Sequence, residues 1–236
     1  MKFKKYESFG NDFIVLEKEK LTNKTIISLC DRHKGVGGDG VLILTQIKNQ
    51  SFRLTIFNAD GSEASMCGNG LKIVGKYLKE KYPSKPFFWI KVKEKFYQVF
   101  ANENEVMVKM PMPTKVEIDK YSAYQIGNLH MLVENVEEEN IRLLASIYPN
   151  FNVSSYFIKS VNSVSFRTYE VGVGFTLSCG SASCCLFKLL IDQGYPYNEL
   201  YVETRGGTFK LIRKDNSLYL TGNPRMVFKG EYCDEI

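Results

Sequence analysis

Two stretches place a Cys-Gly pair directly before an apolar helical pattern: SEASMCGNGLKIVGKYL (62–78) and FTLSCGSASCCLFKLLIDQG (175–194). In both, apolar residues recur at the three- and four-residue spacing of a helix with a buried face. Cys67 and Cys179 would therefore each stand at the N-terminal end of a buried helix. This arrangement decides the fold, because the rest of the chain repeats around it.

The resemblance between the two halves extends well beyond these stretches. Asn58 and Glu170 each stand nine residues before their cysteine. Each half contains, in order, an early Gly-Asn pair, a strand, a loop ending in Cys-Gly, a helix, and three extended segments separated by turn residues (89–113 and 200–224). Agreement over a whole order of elements indicates an internal duplication.

We therefore predict an α+β fold of two pseudo-symmetric domains, each a mixed or antiparallel sheet wrapped around a central helix. The predicted N-terminal domain covers residues 1–115, with a contribution from residues 229–236 if the tail crosses back. The predicted C-terminal domain covers residues 116–228.

Composition narrows the class of protein. The chain has 236 residues, of which 44% are hydrophobic and 24% charged, as in ordinary globular domains. The net charge of +5 comes from scattered lysines, which argues against nucleic-acid binding. The apolar runs are too short to span a membrane, and residues 1–16 lack a signal-peptide pattern. We expect no membrane partner and a cytoplasmic location.

The cysteine and histidine content argues against a metal site. None of the six cysteines forms a CxxC pair, and there are only two histidines, His33 and His130. Free thiols in a reducing compartment are the expected state. We expect Cys30 and His33 to be structural, the adjacent Cys184 and Cys185 to pack the second helix, and Cys233 to be incidental.

A helix N-terminus offers two chemical advantages to a thiol. Its free amides and dipole lower the thiol pKa, and the same amides bind an anion such as a carboxylate. Two such ends on one amino acid would suit proton removal from the α-carbon by one thiolate and reprotonation by the other thiol. Capping, packing or an oxidised disulfide are the alternatives for each cysteine alone.

The motifs GNDFIVL (10–16), DRHKGVGGDGVLIL (31–44), FNADGSEASMCGNG (57–70) and YEVGVGFTLSCGSAS (169–183) resemble those of the diaminopimelate epimerase family. GNLH (127–130) and YPNFNV (148–153) extend the resemblance. It implies the diaminopimelate-epimerase-like fold, stereoinversion of a small-molecule amino acid, no cofactor, and catalysis by Cys67 and Cys179. The oligomeric state stays open, with a homodimer as the common default for such enzymes.

The resemblance also implies the substrate-binding residues. Gly68, Asn69, Gly180 and Ser181 would hold the reacting carboxylate and amine, and His130 would lie near the reacting carbon. The remaining positions would line the site: Asn11, Asn58, Asn128, Asn152, Glu170 and Val171.

Val171 departs from the family pattern. The family normally has an arginine there, which holds the distal carboxylate of diaminopimelate, and an aliphatic side chain cannot replace a bidentate arginine. Further departures are Lys72, Leu129 and Phe175. We predict a racemase or epimerase whose substrate lacks a distal carboxylate, for example a histidine racemase, with Phe175 packing an aromatic substrate if it faces inward.

Two other functions stay open at this point. Diaminopimelate epimerase itself would require another basic residue, such as Lys72 or Arg205, to replace the missing arginine. A non-catalytic amino-acid-binding protein of the same fold is the alternative from a different class, although the presence of both cysteines argues against it.

Overall fold

The computed structural model describes residues 1–17 and 20–233. The chain divides into two compact units: Met1–Val108 together with the segment from Gly222 onward, and Lys109–Thr221. Both boundaries lie seven residues before the expected ones at 116 and 229. The second boundary falls where it does because the last strand pairs with the first strand of the chain and so belongs with the first unit.

The first unit is built from strands with two helices. Its elements in chain order are β1 (Lys2–Ser8), β2 (Asn11–Leu16), α1 (Asn23–Cys30), β3 (Gly40–Lys48), β4 (Ser51–Asn58), β5 (Glu63–Ala64), α2 (Gly68–Lys81), β6 (Phe87–Val92), β7 (Lys95–Ala101) and β8 (Val106–Met110). β8 runs across the boundary between the units.

The second unit repeats this order. Its elements are β9 (Thr114–Val116), β10 (Ser122–Ile126), β11 (Asn128–Glu134), α3 (Glu138–Ile147), β12 (Phe151–Ser160), β13 (Ser163–Glu170), β14 (Gly174–Thr176), α4 (Gly180–Asp192), β15 (Glu199–Thr204), β16 (Gly207–Lys214) and β17 (Ser217–Gly222). The chain then returns to the first unit as β18 (Arg225–Glu231), antiparallel to β1.

Strand pairing confirms the duplication in detail. In the first unit, β2 and β3 are parallel across α1, β3 and β4 are antiparallel, and β4 and β6 are parallel across α2. In the second unit, the corresponding pairs β11 and β12, β12 and β13, and β13 and β15 have the same directions. Each unit is therefore a mixed sheet, as the sequence pattern predicts.

The helix after each cysteine forms the centre of its unit. α2 packs against β1, β2, β3, β6 and β7, and α4 packs against β10, β11 and β16. The predicted apolar faces are buried, including Leu71 and Leu78 of α2 and Cys184 and Leu186 of α4. Among the described residues, no helix has the length and apolar character needed to cross a membrane.

Two helices were not predicted from the sequence. α1 begins after Thr22, whose side chain accepts a hydrogen bond from the Thr25 amide at 3.1 Å. α3 carries Glu138 and Glu139 in its first turn, where acidic side chains interact favourably with the helix dipole. Both signals are readable in the sequence, and each helix makes the first parallel crossover of its unit.

Candidate active site

Cys67 is the N-cap residue of α2. Its backbone is extended (φ −146°, ψ 111°), and its Sγ accepts a hydrogen bond from the Gly70 amide at 3.3 Å. The thiol is partly exposed. Gly68 is the first residue of the helix, so its amide belongs to the unpaired donors that a helix N-terminus offers to an anion.

Asn11 and Asn69 meet beside this helix end. Asn69 is buried in the first turn of α2, and its Nδ2 donates to Asn11 Oδ1. Asn11 Nδ2 in turn donates to Asp39 Oδ2 at 3.2 Å. The predicted pair of asparagines is thus joined to a carboxylate that the sequence analysis did not consider.

That carboxylate belongs to an ion cluster between β2 and the start of β3. Arg32 pairs bidentately with Asp12 at 2.8 and 2.9 Å and reaches Asp39 at 2.8 Å. The buried Lys5 ammonium lies 2.7 Å from Asp12. Burial alone would raise the pKa of Asp12, but hydrogen bonds and charge from Arg32 and Lys5 outweigh it and hold that pKa below its usual range.

Asn58 occupies a different position from Asn11 and Asn69. It is exposed at the end of β4, where its Nδ2 donates to Ser62 Oγ at 2.9 Å and its amide donates to the Ser62 carbonyl at 2.9 Å. Asp60 accepts from the Ser62 hydroxyl and amide. In this structure Asn58 therefore orders the turn that leads to Cys67.

Lys72 is engaged inside the first unit. It is fully buried, with its Nζ 4.2 Å from the centroid of the Phe9 ring, within the range of a cation–π contact. A Cβ added at Gly222 would approach the Phe9 ring at 2.7 Å and the Lys72 chain at 2.9 Å, so this position requires glycine. Lys72 is thus held by packing around its ammonium.

Cys179 is the N-cap residue of α4, with a similar extended backbone (φ −131°, ψ 104°). Unlike Cys67 it is buried, and its Sγ lies 3.4 Å from Ser181 Oγ. Its side chain is also hydrogen-bonded to the Glu170 carboxylate. Thr176 Oγ1 donates to Glu170 Oε1 at 2.6 Å, which holds the carboxylate in place.

The expectation of a lowered thiol pKa is wrong for Cys179. Burial raises the pKa of this thiol well above its usual value, and the negative charge of Glu170 raises it further. Hydrogen bonds from Ser181 and the Ala182 amide lower it, but they do not outweigh the loss of solvent. Burial also raises the pKa of Glu170, against smaller lowering contributions from Thr176 and Cys179.

Gly180 has a packing requirement of its own. A Cβ at this position would lie 2.6 Å from Leu220 Cδ2. At Gly70, three residues after Cys67, an added Cβ would lie 3.2 Å from Leu42 Cδ2. Both glycines therefore allow close packing against a leucine side chain, more tightly at Gly180 than at Gly70.

Four further predicted residues are Asn152, His130 and Asn128, on the two strands that follow one another beside β13, and Val171, in the turn after Glu170. Asn152 is buried on β12, and its Oδ1 accepts from the Val171 amide at 2.8 Å, which fixes the start of the β13–β14 turn. The Val171 side chain is about half exposed (51%). His130 pairs in register with Asn152, whereas Asn128 is exposed at the start of β11.

His130 is fully buried, and neither ring nitrogen has a hydrogen-bond partner among the residues described. Burial lowers its pKa to about 4, so the imidazole is neutral at physiological pH. An unpartnered neutral imidazole can donate from one nitrogen and accept at the other.

Phe175 does not face Glu170. Its neighbour Thr176 contacts Glu170, and successive strand residues point to opposite faces. The Phe175 ring lies 5.2 Å from the Tyr169 ring and 4.8 Å from the Arg142 guanidinium, against the small core beneath α3. The suggestion that Phe175 packs an aromatic substrate is therefore wrong for this structure.

The remaining cysteines are placed as expected. Cys30, Cys184 and Cys185 are buried, and Cys233 is exposed. Burial raises the pKa of Cys30 to about 11 and that of Cys185 well above its usual value. Within residues 1–17 and 20–233, no cluster of His, Cys, Asp and Glu could hold a metal ion.

Sequence reasoning missed Thr176 and the cluster around Asp39. Thr176 stands three residues before Cys179, but only the β13–β14 pairing brings it against Glu170. Asp12 and Asp39 both lie inside motifs quoted for the family resemblance, as carboxylates next to a Gly-rich or Gly-Asn segment. Their place inside these motifs was the sequence signal that could have identified Asp12 and Asp39 as part of the site.

Comparisons with known proteins agree with this architecture. Residues 3–115 match the family model described as diaminopimelate epimerase. The chain is 32% identical to the diaminopimelate epimerase of Methanococcus maripaludis strain C6, over 98% of this chain and 99% of that relative.

Two solved structures show the same fold at low identity. A phenazine biosynthesis protein of the PhzF family from Enterococcus faecalis matches with a TM-score of 0.73 and 17% identity, covering 99% of this chain and 100% of that one. A hydroxyproline epimerase from Agrobacterium vitis matches with a TM-score of 0.64 and 12% identity, covering 98% and 90%.

Identity to a diaminopimelate epimerase over nearly the whole of both sequences shows that this protein, with its two cysteine-capped helices, is an isomerase of the racemase and epimerase class. The chain belongs to the diaminopimelate epimerase family. Membership follows from identity over nearly the whole length of both sequences.

Proposed function

We propose that the protein inverts the α-carbon of an amino acid by a two-base mechanism in which Cys67 and Cys179 act on opposite faces of one substrate. A thiolate removes the α-proton, and the other thiol returns a proton from the opposite face. The unpaired amides at the two helix ends stabilise the negative charge that develops on the carboxylate. No cofactor is required for these steps.

The observation that carries the proposal is the different environment of two equivalent thiols. Cys67 is partly exposed and its sulfur accepts an amide hydrogen bond, a contact that suits the thiolate a base requires. Cys179 is buried and contacts a carboxylate, which favours the thiol form. A two-base enzyme needs one group in each form at the start of a turnover.

Glu170 supports this division of roles. The carboxylate accepts a hydrogen bond from Cys179 and is anchored by Thr176. When catalysis runs in the reverse direction, Glu170 is positioned to take the Cys179 proton and generate the thiolate. The buried, neutral His130 is a second candidate for contact with the reacting groups.

For the substrate, we propose an amino acid without a distal carboxylate, with histidine as one example. Val171 offers no charge at the position of the family arginine. The two basic residues considered as replacements are already engaged, Lys72 with Phe9 and Arg205 with Glu138. The loss of an arginine–carboxylate pair costs about 2–5 kcal/mol of binding.

Diaminopimelate epimerase activity is the second candidate. It is favoured by the 32% identity to a relative of that name over 98% of the chain. The two candidates share the chemistry at the α-carbon and differ only in how the far end of the substrate is held.

Solvent deuterium incorporation at the α-carbon tests the proposal. The purified protein is incubated in deuterium oxide with a panel of L-amino acids and LL-diaminopimelate. Exchange is expected to fall by about 10²–10⁴-fold in Cys67→Ser and in Cys179→Ser, with Cys233→Ser as the matched exposed control. No exchange with any substrate would instead favour a binding protein.

The panel also separates the two substrate classes, and Val171→Arg sharpens the result. The variant is expected to raise kcat/KM for LL-diaminopimelate by about 10-fold through a new charge-assisted pair, with Val171→Leu as the control. A wild-type protein that inverts LL-diaminopimelate far faster than every mono-carboxylate amino acid would overturn the preferred substrate.

A further inference from the structure

A chain of hydrogen bonds joins Asp39 to the first turn of α2. Asn11 Nδ2 donates to Asp39 Oδ2 at 3.2 Å, and Asn69 Nδ2 donates to Asn11 Oδ1. Asn69 is buried and lies two residues beyond Cys67. The chain therefore leads from an ion-paired carboxylate to the first turn of the helix that Cys67, the proposed catalytic thiol, caps.

The direction of these bonds follows from the chemistry of the carboxylate. An ionised carboxylate only accepts hydrogen bonds, whereas an amide side chain can turn to present either oxygen or nitrogen. Asp39 therefore selects the orientation of Asn11 with its nitrogen toward the carboxylate. Asn11 then presents its side-chain oxygen to Asn69, and Asn69 donates to that oxygen from its side-chain nitrogen.

Asp39 is itself held by independent contacts. Its Oδ2 also accepts from the Asp12 amide at 3.1 Å, and its Oδ1 accepts from Arg32 at 2.8 Å. The Asp39 amide donates to the Asp12 carboxylate at 3.0 Å. These contacts join the ends of β2 and β3 and keep the carboxylate from turning away from Asn11.

We propose that Asp39 is a positioning residue, which locks Asn11 and Asn69 in one amide orientation before the substrate binds. The inference rests on the proposed function, because the family resemblance assigns both asparagines to the substrate site of such an enzyme. Pre-organised polar groups hold a substrate without losing free energy to reorientation during binding. Removal of the lock is therefore expected to raise KM more than it lowers kcat.

Three variants separate this role from a role in the ion cluster. Asp39→Ala removes the acceptor for Asn11. Asp39→Asn keeps an oxygen for the two converging donors, Asn11 Nδ2 and the Asp12 amide, but weakens the pair with Arg32. Arg32→Gln removes the guanidinium while leaving the carboxylate of Asp39 in place.

The expected result is a specific order of effects. Asp39→Ala lowers kcat/KM by about 10-fold, mainly through KM, while Asp39→Asn and Arg32→Gln stay within about 3-fold of the wild type. If all three variants lose activity equally, the cluster acts through charge and the proposal is overturned. Wild-type kinetics in Asp39→Ala would overturn it equally.

A second measurement does not depend on turnover. In protein labelled with nitrogen-15 asparagine, the side-chain amide protons of Asn11 and Asn69 should exchange slowly with solvent in the wild type, Asp39→Asn and Arg32→Gln. They should exchange faster in Asp39→Ala, and equal rates in all four proteins would refute the lock. If the wild type racemises no amino acid, the proposed function fails while this measurement still decides the role of Asp39.

Discussion

The two helix ends share a backbone design and differ in what surrounds the sulfur. Cys67 and Cys179 both cap the central helix of their unit from an extended conformation. Cys67 is partly exposed beside neutral amides, and Cys179 is buried against Glu170. The duplication therefore has two equivalent positions for a thiol, and different side chains surround the sulfur at each of them.

The raised pKa of Cys179 shows that a position at a helix N-terminus does not by itself determine the pKa of a thiol. The dipole effect is limited to the first turn and amounts to about 0.3–1 kcal/mol at exposed sites. Complete burial and a neighbouring carboxylate act in the opposite direction and are larger at Cys179. The dipole serves the bound carboxylate as much as the thiol.

Among the variants that test the difference between the two cysteines, Glu170→Gln is expected to have the largest effect. The substitution removes the charge that raises the Cys179 pKa, so Cys179 should be alkylated at lower pH than in the wild type. Racemisation should nevertheless fall by about 10²-fold, because the proton acceptor is lost. Mass spectrometry of iodoacetamide-treated protein over a pH series measures the alkylation.

Cys67 is the internal control for that experiment, since Cys179 is the thiol whose pKa Glu170 raises. Its alkylation profile should stay unchanged in Glu170→Gln. A shift of both cysteines, or an unshifted Cys179 profile, would contradict the assignment of Glu170 as the group that raises the Cys179 pKa.

The two units also differ in how their contributions to stability change as the pH falls. The folded pKa of His130 is about 4 and its unfolded value is about 6.5, so the folded state binds fewer protons in this window. Stability contributed by neutral His130 is present above pH 6.5 and is lost as the pH falls to about 4. The difference corresponds to about 3 kcal/mol.

His130→Asn should remove this pH dependence, as measured by urea unfolding between pH 7 and pH 4. The first unit behaves differently, because the lowered pKa of Asp12 keeps its contribution until the pH falls below the usual carboxyl range. Parallel pH curves for the variant and the wild type would show that His130 does not titrate as a buried group.

The smallest expected effect concerns Gly180, directly after Cys179, and Gly70, three residues after Cys67. Gly180→Ala forces a Cβ to 2.6 Å from Leu220, whereas Gly70→Ala approaches Leu42 only to 3.2 Å. We expect Gly180→Ala to lower the free energy of unfolding by about 1–3 kcal/mol, and Gly70→Ala by less. Equal losses in urea unfolding would mean that Leu220 moves away from the added methyl group as easily as Leu42 does.

Much of the molecule could be predicted from sequence because its signals are local or repeated. The meanders at 89–113 and 200–224 appear as β6 to β8 and β15 to β17, since alternation and turn residues specify them within a few residues. α1 and α3 were missed because each is short, with 8 and 10 residues, and neither follows a motif as distinctive as Cys-Gly. The duplication made up for these missed helices, because the order of elements in one half supports the same order in the other half.

The sequence by itself determined the family, the two-unit α+β design and the pair of cysteines at helix ends, because these depend on residue order and spacing. Only the tertiary structure decided the state of each thiol, the direction of Phe175 and the link from Asp39 to Asn69. Those features depend on burial and on hydrogen bonds between residues far apart in the chain, such as Asn11 and Asn69. A local sequence pattern does not show which side chains from distant parts of the chain are buried together.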